Sequence, residues 1–223
     1  MKINGVIFDL FETLVDFSFS QYNQVLVAMA ECMGKNPEAF VSSWHGSWPQ
    51  HEAGAFKNVS DYIVAVSGQV VLESGLLEAV ALHETFQKQV LIPHPETITA
   101  LKDLKSAGYK TGLVTNCPVE TPIFWSGSPL SPLIDAAVFS TLERTRKPDS
   151  AMFLACSDRL GLAAAECAYV GDGANQELFV SSALGMHSIM LTNGVRNPEE
   201  GNGIWKGPAI ARLFDLLAYI EGN

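Results

Sequence analysis

Two carboxylates, an ammonium and a hydroxyl-plus-amide pair stand in this sequence where apolar runs stop or in the loops beside them. Asp9 ends the run Gly5-Val6-Ile7-Phe8, Thr115-Asn116 end Thr111-Gly112-Leu113-Val114, and Gly171-Asp172 end Ala168-Tyr169-Val170. Runs of this kind read as buried parallel strands, and in open parallel sheets ligands gather at the carboxyl ends of the strands. Lys147 lies in a loop between a strand and a helix, positioned for the same rim. Together these groups suit a divalent cation and an anion held side by side. Asp9 and Asp172 offer the hard oxygen donors that Mg2+ takes, Lys147 neutralises the anion and keeps Asp9 ionised, and Glu177, on the first turn of the next helix, anchors a metal-bound water.

The elements that must position these groups follow from periodicity. Tyr22, Val25, Leu26, Met29 and Met33 share one helix face, which Gly34 ends. Further helices are expected near 38–48, 58–67 and 75–91, with no strand pattern between 18 and 91. Pro93-His94-Pro95 reads as a linker. Beyond it helix and strand alternate: a helix on Ile98, Leu101 and Leu104, strands at 111–114 and 134–139, a helix on Phe153, Cys156 and Leu160, a strand at 168–170, a helix near 175–184, a strand at 188–191 and a last helix from Leu213 to Ile220. That alternation predicts an α/β fold, a doubly wound parallel sheet, with a second, smaller all-helical domain. The expected division is an α/β core over 1–14 and 94–223, with a helical insertion over 15–93 after the first strand.

Bulk composition narrows the function. The chain carries a formal net charge of −10 with 48% hydrophobic and 17% charged residues. That composition is globular, and the acidic balance disfavours nucleic acid as a partner. No apolar run is long enough for a membrane helix, and the start lacks the pattern of a signal peptide. Cys32, Cys117, Cys156 and Cys167 form no Cys-x-x-Cys pair and no zinc pattern; they read as reduced thiols of a cytoplasmic protein. His83-Glu84 opens like a zinc-protease motif, but Gln87 stands where the second histidine is needed. The first strand is not followed by Gly-x-Gly-x-x-Gly, which removes a dinucleotide site.

The chain resembles the haloacid dehalogenase-like hydrolases over nearly its whole length, through four motifs in order. They are Phe8-Asp9-Leu10-Phe11-Glu12-Thr13-Leu14, Leu113-Val114-Thr115-Asn116, Arg146-Lys147-Pro148-Asp149, and Tyr169-Val170-Gly171-Asp172-Gly173 followed by Glu177. The inserted helices are similar to that family's mobile cap, and the core to its Rossmann-like sheet. The resemblance implies Asp9 as a nucleophile that forms an aspartyl intermediate. It implies Mg2+ bound by Asp9, the Phe11 main-chain carbonyl and Asp172 with Glu177 in support. Thr115, the Asn116 amide and Lys147 would hold phosphoryl oxygens. The expected reaction is Mg-dependent release of phosphate from a small phosphorylated metabolite.

One position departs from the family pattern. Its phosphatases place a second aspartate two residues after the nucleophile as general acid and base, and here that position is Phe11. Glu12, His45 and His51 are candidate substitutes, and a good leaving group would need none. An aromatic residue here also fits a 2-haloacid dehalogenase. Against that reading stand the Gly-Asp-Gly fourth motif and the absence of arginine before Arg144, so the insertion offers none to receive halide. A protein that kept the fold and lost turnover is the third reading. Trp44 and Trp48, at i and i+4, read as packing inside the insertion or as a lining of the substrate pocket. The number of subunits is open.

Overall fold

The computed structural model describes residues 2–68, 71–193 and 205–222; the part of the expected core at 194–204 lies outside them. In chain order the elements are β1 (Gly5–Phe8), α1 (Phe19–Cys32), α2 (Pro37–Glu52), α3 (Val59–Ser67), α4 (Glu73–Val90), α5 (Pro95–Ser106), β2 (Lys110–Thr115), α6 (Glu120–Phe124), β3 (Ala136–Phe139), α7 (Ser140–Glu143), α8 (Ser150–Leu160), β4 (Cys167–Gly171), α9 (Glu177–Ala183), β5 (His187–Leu191), β6 (Ala209–Ile210) and α10 (Leu216–Glu221).

The strands form one parallel sheet in the order β3-β2-β1-β4-β5-β6. β1 is central because Gly5–Phe8 is buried along its whole length, as a strand covered on both faces must be. Chain direction across the sheet reverses between β1 and β4, the switch point where open α/β sheets leave a crevice. Phe8 pairs with Leu113 on one side and Val170 on the other, so Asp9, Asn116 and Asp172 all emerge at one edge. The Asp9 N–H donates to the Val170 carbonyl at 2.9 Å, which fixes that register one residue past the strand.

Helices α1 to α4 fill the stretch between β1 and α5. Three of them start on side-chain caps: Ser18 accepts from the Gln21 N–H at 3.3 Å, Asn36 from Ala39 at 2.8 Å and Asn58 from Asp61 at 2.8 Å, each cap worth about 1 kcal/mol. The buried face of α1 is Tyr22, Leu26, Met29 and Ala30. It packs closely on α4 at Gly75, where an added Cβ would stand 2.8 Å from the Cys32 carbonyl oxygen. Trp44 is fully buried at the centre of this block; its indole N–H donates to Tyr22 Oη at 2.9 Å, and Tyr22 Oη lies 3.1 Å from His83 Nε2. His83 in turn faces Glu120 of α6, with Nδ1 3.4 Å from Oε1. A buried polar chain therefore joins the inserted helices to the sheet-bearing part.

The structure changes some sequence expectations. Pro95 is the first residue of α5, where its fixed φ suits a helix start, so it opens a helix and does not merely link. The helix expected from 175 begins at Glu177, because Asn175 and Gln176 have φ of 52° and 57°, outside the right-handed helical region. The short α6, α7 and β6 carried no periodic signal. No described helix is long and apolar enough to cross a membrane, and the four cysteines are free thiols.

Candidate active site

At the carboxyl edge of the sheet, Lys147 Nζ donates to Asp9 Oδ1 at 2.5 Å and to Glu177 Oε2 at 2.6 Å, and lies 3.4 Å from Tyr169 Oη. The lysine is 1% exposed. Burial alone would disfavour its charge, but Asp9 and Glu177 outweigh it and hold the amine above its ordinary value, so it is an ammonium at every working pH. Burial pushes the Asp9 carboxyl up to about 6 against the pull of Lys147, which leaves it ionised at pH 7. Glu177 is also raised by burial, with Lys147 opposing.

Each of these side chains is positioned by something specific. Lys147 is gripped through its backbone: Asn116 Oδ1 accepts from the Lys147 N–H at 2.7 Å, and Asn116 Nδ2 donates to the Lys147 carbonyl at 3.2 Å. Glu177 accepts from Tyr169 Oη at 2.8 Å and from the Gly173 N–H at 3.1 Å. Its carboxylate also fills the space beside Gly171, where a Cβ would collide with it. Asp172 Oδ1 accepts from the Ala174 N–H at 3.0 Å. Oxygens of Asp9, Asp172 and Glu177 lie within 4.8 Å of one another. Three carboxylates against one ammonium leave an excess of negative charge, and an all-oxygen donor set is what a hard divalent cation such as Mg2+ takes. The residues therefore fit such an ion.

Of the residues singled out from sequence, Asp9, Lys147, Asp172 and Glu177 converge. Asn116 reaches the same place with its side chain committed to Lys147. Thr115 is fully buried, and its hydroxyl donates to the Asn116 carbonyl at 3.2 Å, so it faces backbone and does not line the cavity. Phe11 lines the cavity two residues from Asp9. Glu12 Oε1 accepts from the Phe17 N–H at 2.5 Å, engaged by its own loop. His45 stands exposed at the rim with Nε2 2.8 Å from Asn23 Oδ1. His51 is fully buried, away from the cavity, and accepts from the Val119 N–H at 3.4 Å; burial lowers its pKa to about 4. It is thus not a proton donor to this site. Trp44 and Trp48 divide: the first is core, the second lines the cavity.

The cavity is about 730 Å³ and lies between this edge and the inserted helices. Two polar groups of the site, Glu52 at the cavity and Tyr169 behind it, escaped sequence reading. Glu52 of α2 pairs with Arg146, Oε2 to Nε at 2.9 Å and to Nη2 at 2.8 Å, across the mouth of the cavity. Arg146 was visible in the third motif, but nothing in sequence ties it to a residue 94 positions earlier. Tyr169 gave a faint signal, since a phenol inside an apolar strand needs a partner.

Comparison with known proteins identifies the family and the fold. The sequence pattern of the haloacid dehalogenase-like hydrolases matches residues 3–181. The glyceraldehyde 3-phosphate phosphatase of Methanocaldococcus jannaschii is 26% identical over 142 residues, 62% of this chain and 60% of that protein, so the match spans under two thirds of that relative. The phosphoglycolate phosphatase of Xylella fastidiosa is 25% identical over 219 residues, 96% of this chain and 90% of the relative. Among solved structures, a phosphatase of the same family from Thermococcus onnurineus superposes with a TM-score of 0.70 at 22% identity, covering 100% of this chain and 99% of that one. The L-2-haloacid dehalogenase of Xanthobacter autotrophicus does so with a TM-score of 0.67 at 17% identity, over 99% of each chain; at such identity the likeness concerns the fold. With its sequence pattern, parallel sheet and strand order in accord, the chain belongs to the haloacid dehalogenase-like hydrolase family.

Proposed function

We propose that this hydrolase is a Mg2+-dependent phosphatase that acts on a small phosphorylated metabolite in the cytoplasm, where its cysteines stay reduced. The inserted helices act as its cap over the core formed by 1–14 and 94–223. The observation that carries the reading is the buried Asp9–Lys147–Glu177 cluster with Asp172 beside it. Asp9 attacks phosphorus through the oxygen that Lys147 does not hold, and its ionisation above pH ~6 makes it competent at neutral pH. The Lys147 ammonium and the Asn116 main-chain N–H hold phosphoryl oxygens. Asp9, Asp172, Glu177 and the Phe11 carbonyl would hold the cation, which clamps the charge of the phosphoryl group when bound. The cap excludes water during the first transfer.

A dehalogenase is the second reading, favoured by one observation. Arg146 brings to the cavity, from the core, the guanidinium that the inserted helices lack. Its pairing with Glu52 counts against it as a halide receiver. The test is a panel of phosphate esters and 2-chloropropionate, each assayed with Mg2+ and with chelator, on the wild type and Asp9→Asn. The expected outcome is phosphate release that needs both the metal and Asp9. Chloride release that survives chelation would replace the phosphatase reading with the dehalogenase one.

A further inference from the structure

Phe11 does more than displace an acid. It begins a continuous aromatic wall: Phe11 and Phe17 meet edge-on at 5.5 Å, Phe17 meets Phe19 at 5.1 Å and Tyr22 at 5.4 Å, and Tyr22 meets Trp48 at 5.7 Å. Every ring in that series lines the cavity. Phe11, Phe17 and Trp48 are only half-buried, and Phe19 is 67% exposed. Rings left open around a concave site mark a surface that recognises something apolar. In an in-line displacement the leaving group departs on the side of phosphorus opposite Asp9, and Asp9 shares its cavity with these rings.

At the same cavity, Gln87 is 1% exposed, and neither Nε2 nor Oε1 has a hydrogen-bond partner among the described residues. A buried amide without partners is costly, and a ligand group that satisfies it recovers that cost. Gln87 stands on α4 next to Phe86, whose ring stacks on Tyr22 at 5.1 Å, so the amide adjoins the aromatic wall.

We propose that the substrate is an aryl phosphate: a phosphoryl group on a phenolic oxygen, its ring against the Phe11–Phe17–Trp48 wall and a polar ring substituent hydrogen-bonded to Gln87. This rests on the phosphatase reading above and deepens it. It also accounts for the lost acid. A phenol loses its proton near pH ~10, so a phenolate departs without the protonation that an alkoxide requires. Asp9 oxygen forms the new bond to phosphorus, the bond from phosphorus to the ring oxygen breaks with its electron pair on that oxygen, and the phenolate takes a proton from solvent. Water then cleaves the aspartyl phosphate to phosphate and the Asp9 carboxylate.

The experiment compares phenyl phosphate with ethyl phosphate as substrates, and phenylphosphonate with methylphosphonate as non-hydrolysable inhibitors, all with Mg2+. Without an acid, kcat/KM for phenyl phosphate should exceed that for ethyl phosphate by at least ~100-fold. Phenylphosphonate should inhibit at least ~10-fold more tightly than methylphosphonate, because the ring is buried among rings. Trp48→Ala, or Phe17→Leu should the first fold poorly, should bring that inhibition ratio towards one. Gln87→Leu should erase any advantage of 4-hydroxyphenylphosphonate over phenylphosphonate. Equal inhibition by the two phosphonates overturns the aromatic site. Ethyl phosphate turned over as well as phenyl phosphate, in an Asp9-dependent way, overturns it while sparing the phosphatase reading. No phosphate from any ester sinks both.

Discussion

Replacing Lys147 by methionine tests the electrostatics of the site without touching its shape. The side chain is almost completely buried and is the cation between two buried acids, at 2.5 Å from Asp9 and 2.6 Å from Glu177. Removing one partner of a buried ion pair costs about 3–5 kcal/mol, because the charge left behind is uncompensated. For a chain of this length that lowers Tm by roughly 6–20 °C. The pH dependence has a definite sign. Asp9 is already raised to about 6 by burial despite the lysine, and Glu177 is raised too; without the lysine both rise further and repel each other. An acid whose folded pKa is raised costs nothing below its unfolded value, near pH ~4, and costs progressively more as pH climbs towards the folded value. The deficit of the variant therefore grows from pH 5 to pH 8. The wild-type lysine adds no slope there, since it stays charged throughout. Thermal unfolding of both proteins in chelator, at pH 5 and pH 8, measures this directly. Adding Glu177→Gln to Lys147→Met should recover part of the loss at pH 8. An equal Tm loss at both pH values, or a loss under ~2 °C at pH 8, would refute the reasoning.

Two other substitutions probe positioning. Gly171→Ala drives a Cβ into the Glu177 carboxylate and should destabilise by about 1–3 kcal/mol, whereas Gly46→Ala, with open space around it in the middle of α2, should stabilise by about 0.5–1 kcal/mol; chemical denaturation of the pair reads both signs. Tyr22→Phe leaves the Trp44 indole N–H and His83 Nε2 buried without their partner, a loss of about 1–3 kcal/mol by the same measurement.

Much of the core was legible because its strands are short apolar runs that end in polar residues. Phe8-Asp9, Val114-Thr115 and Val170-Gly171-Asp172 announce both the sheet and its reactive edge, since the pairing of Phe8 with Leu113 and Val170 brings them level. The inserted helices were legible from one face, Tyr22 to Met33, and from the glycine that ends it. What stayed hidden depends on contacts between distant residues. The Asn116 side chain grips the backbone of Lys147, and Glu177, read as a metal support, is also the lysine's second acid. His51 looked available and is sealed behind Val119. The left-handed Asn175 and Gln176 that delay α9 break no periodic rule, because Glu177, Leu178 and Ser181 keep a helical spacing.

All four charged groups of the cluster come from outside residues 19–90, while most of the aromatic wall and the unpartnered amide come from within them. On the proposed reading, reactivity and selectivity thus reside in separable stretches of one chain. A foreign helical segment grafted in place of residues 19–90 would leave Asp9, Lys147, Asp172 and Glu177 in the chain. The polar joints to the core would have to be sewn again: an acid where Glu52 stands, to meet the arginine next door to the lysine, and partners for Glu120 and the Val119 N–H where His83 and His51 stand.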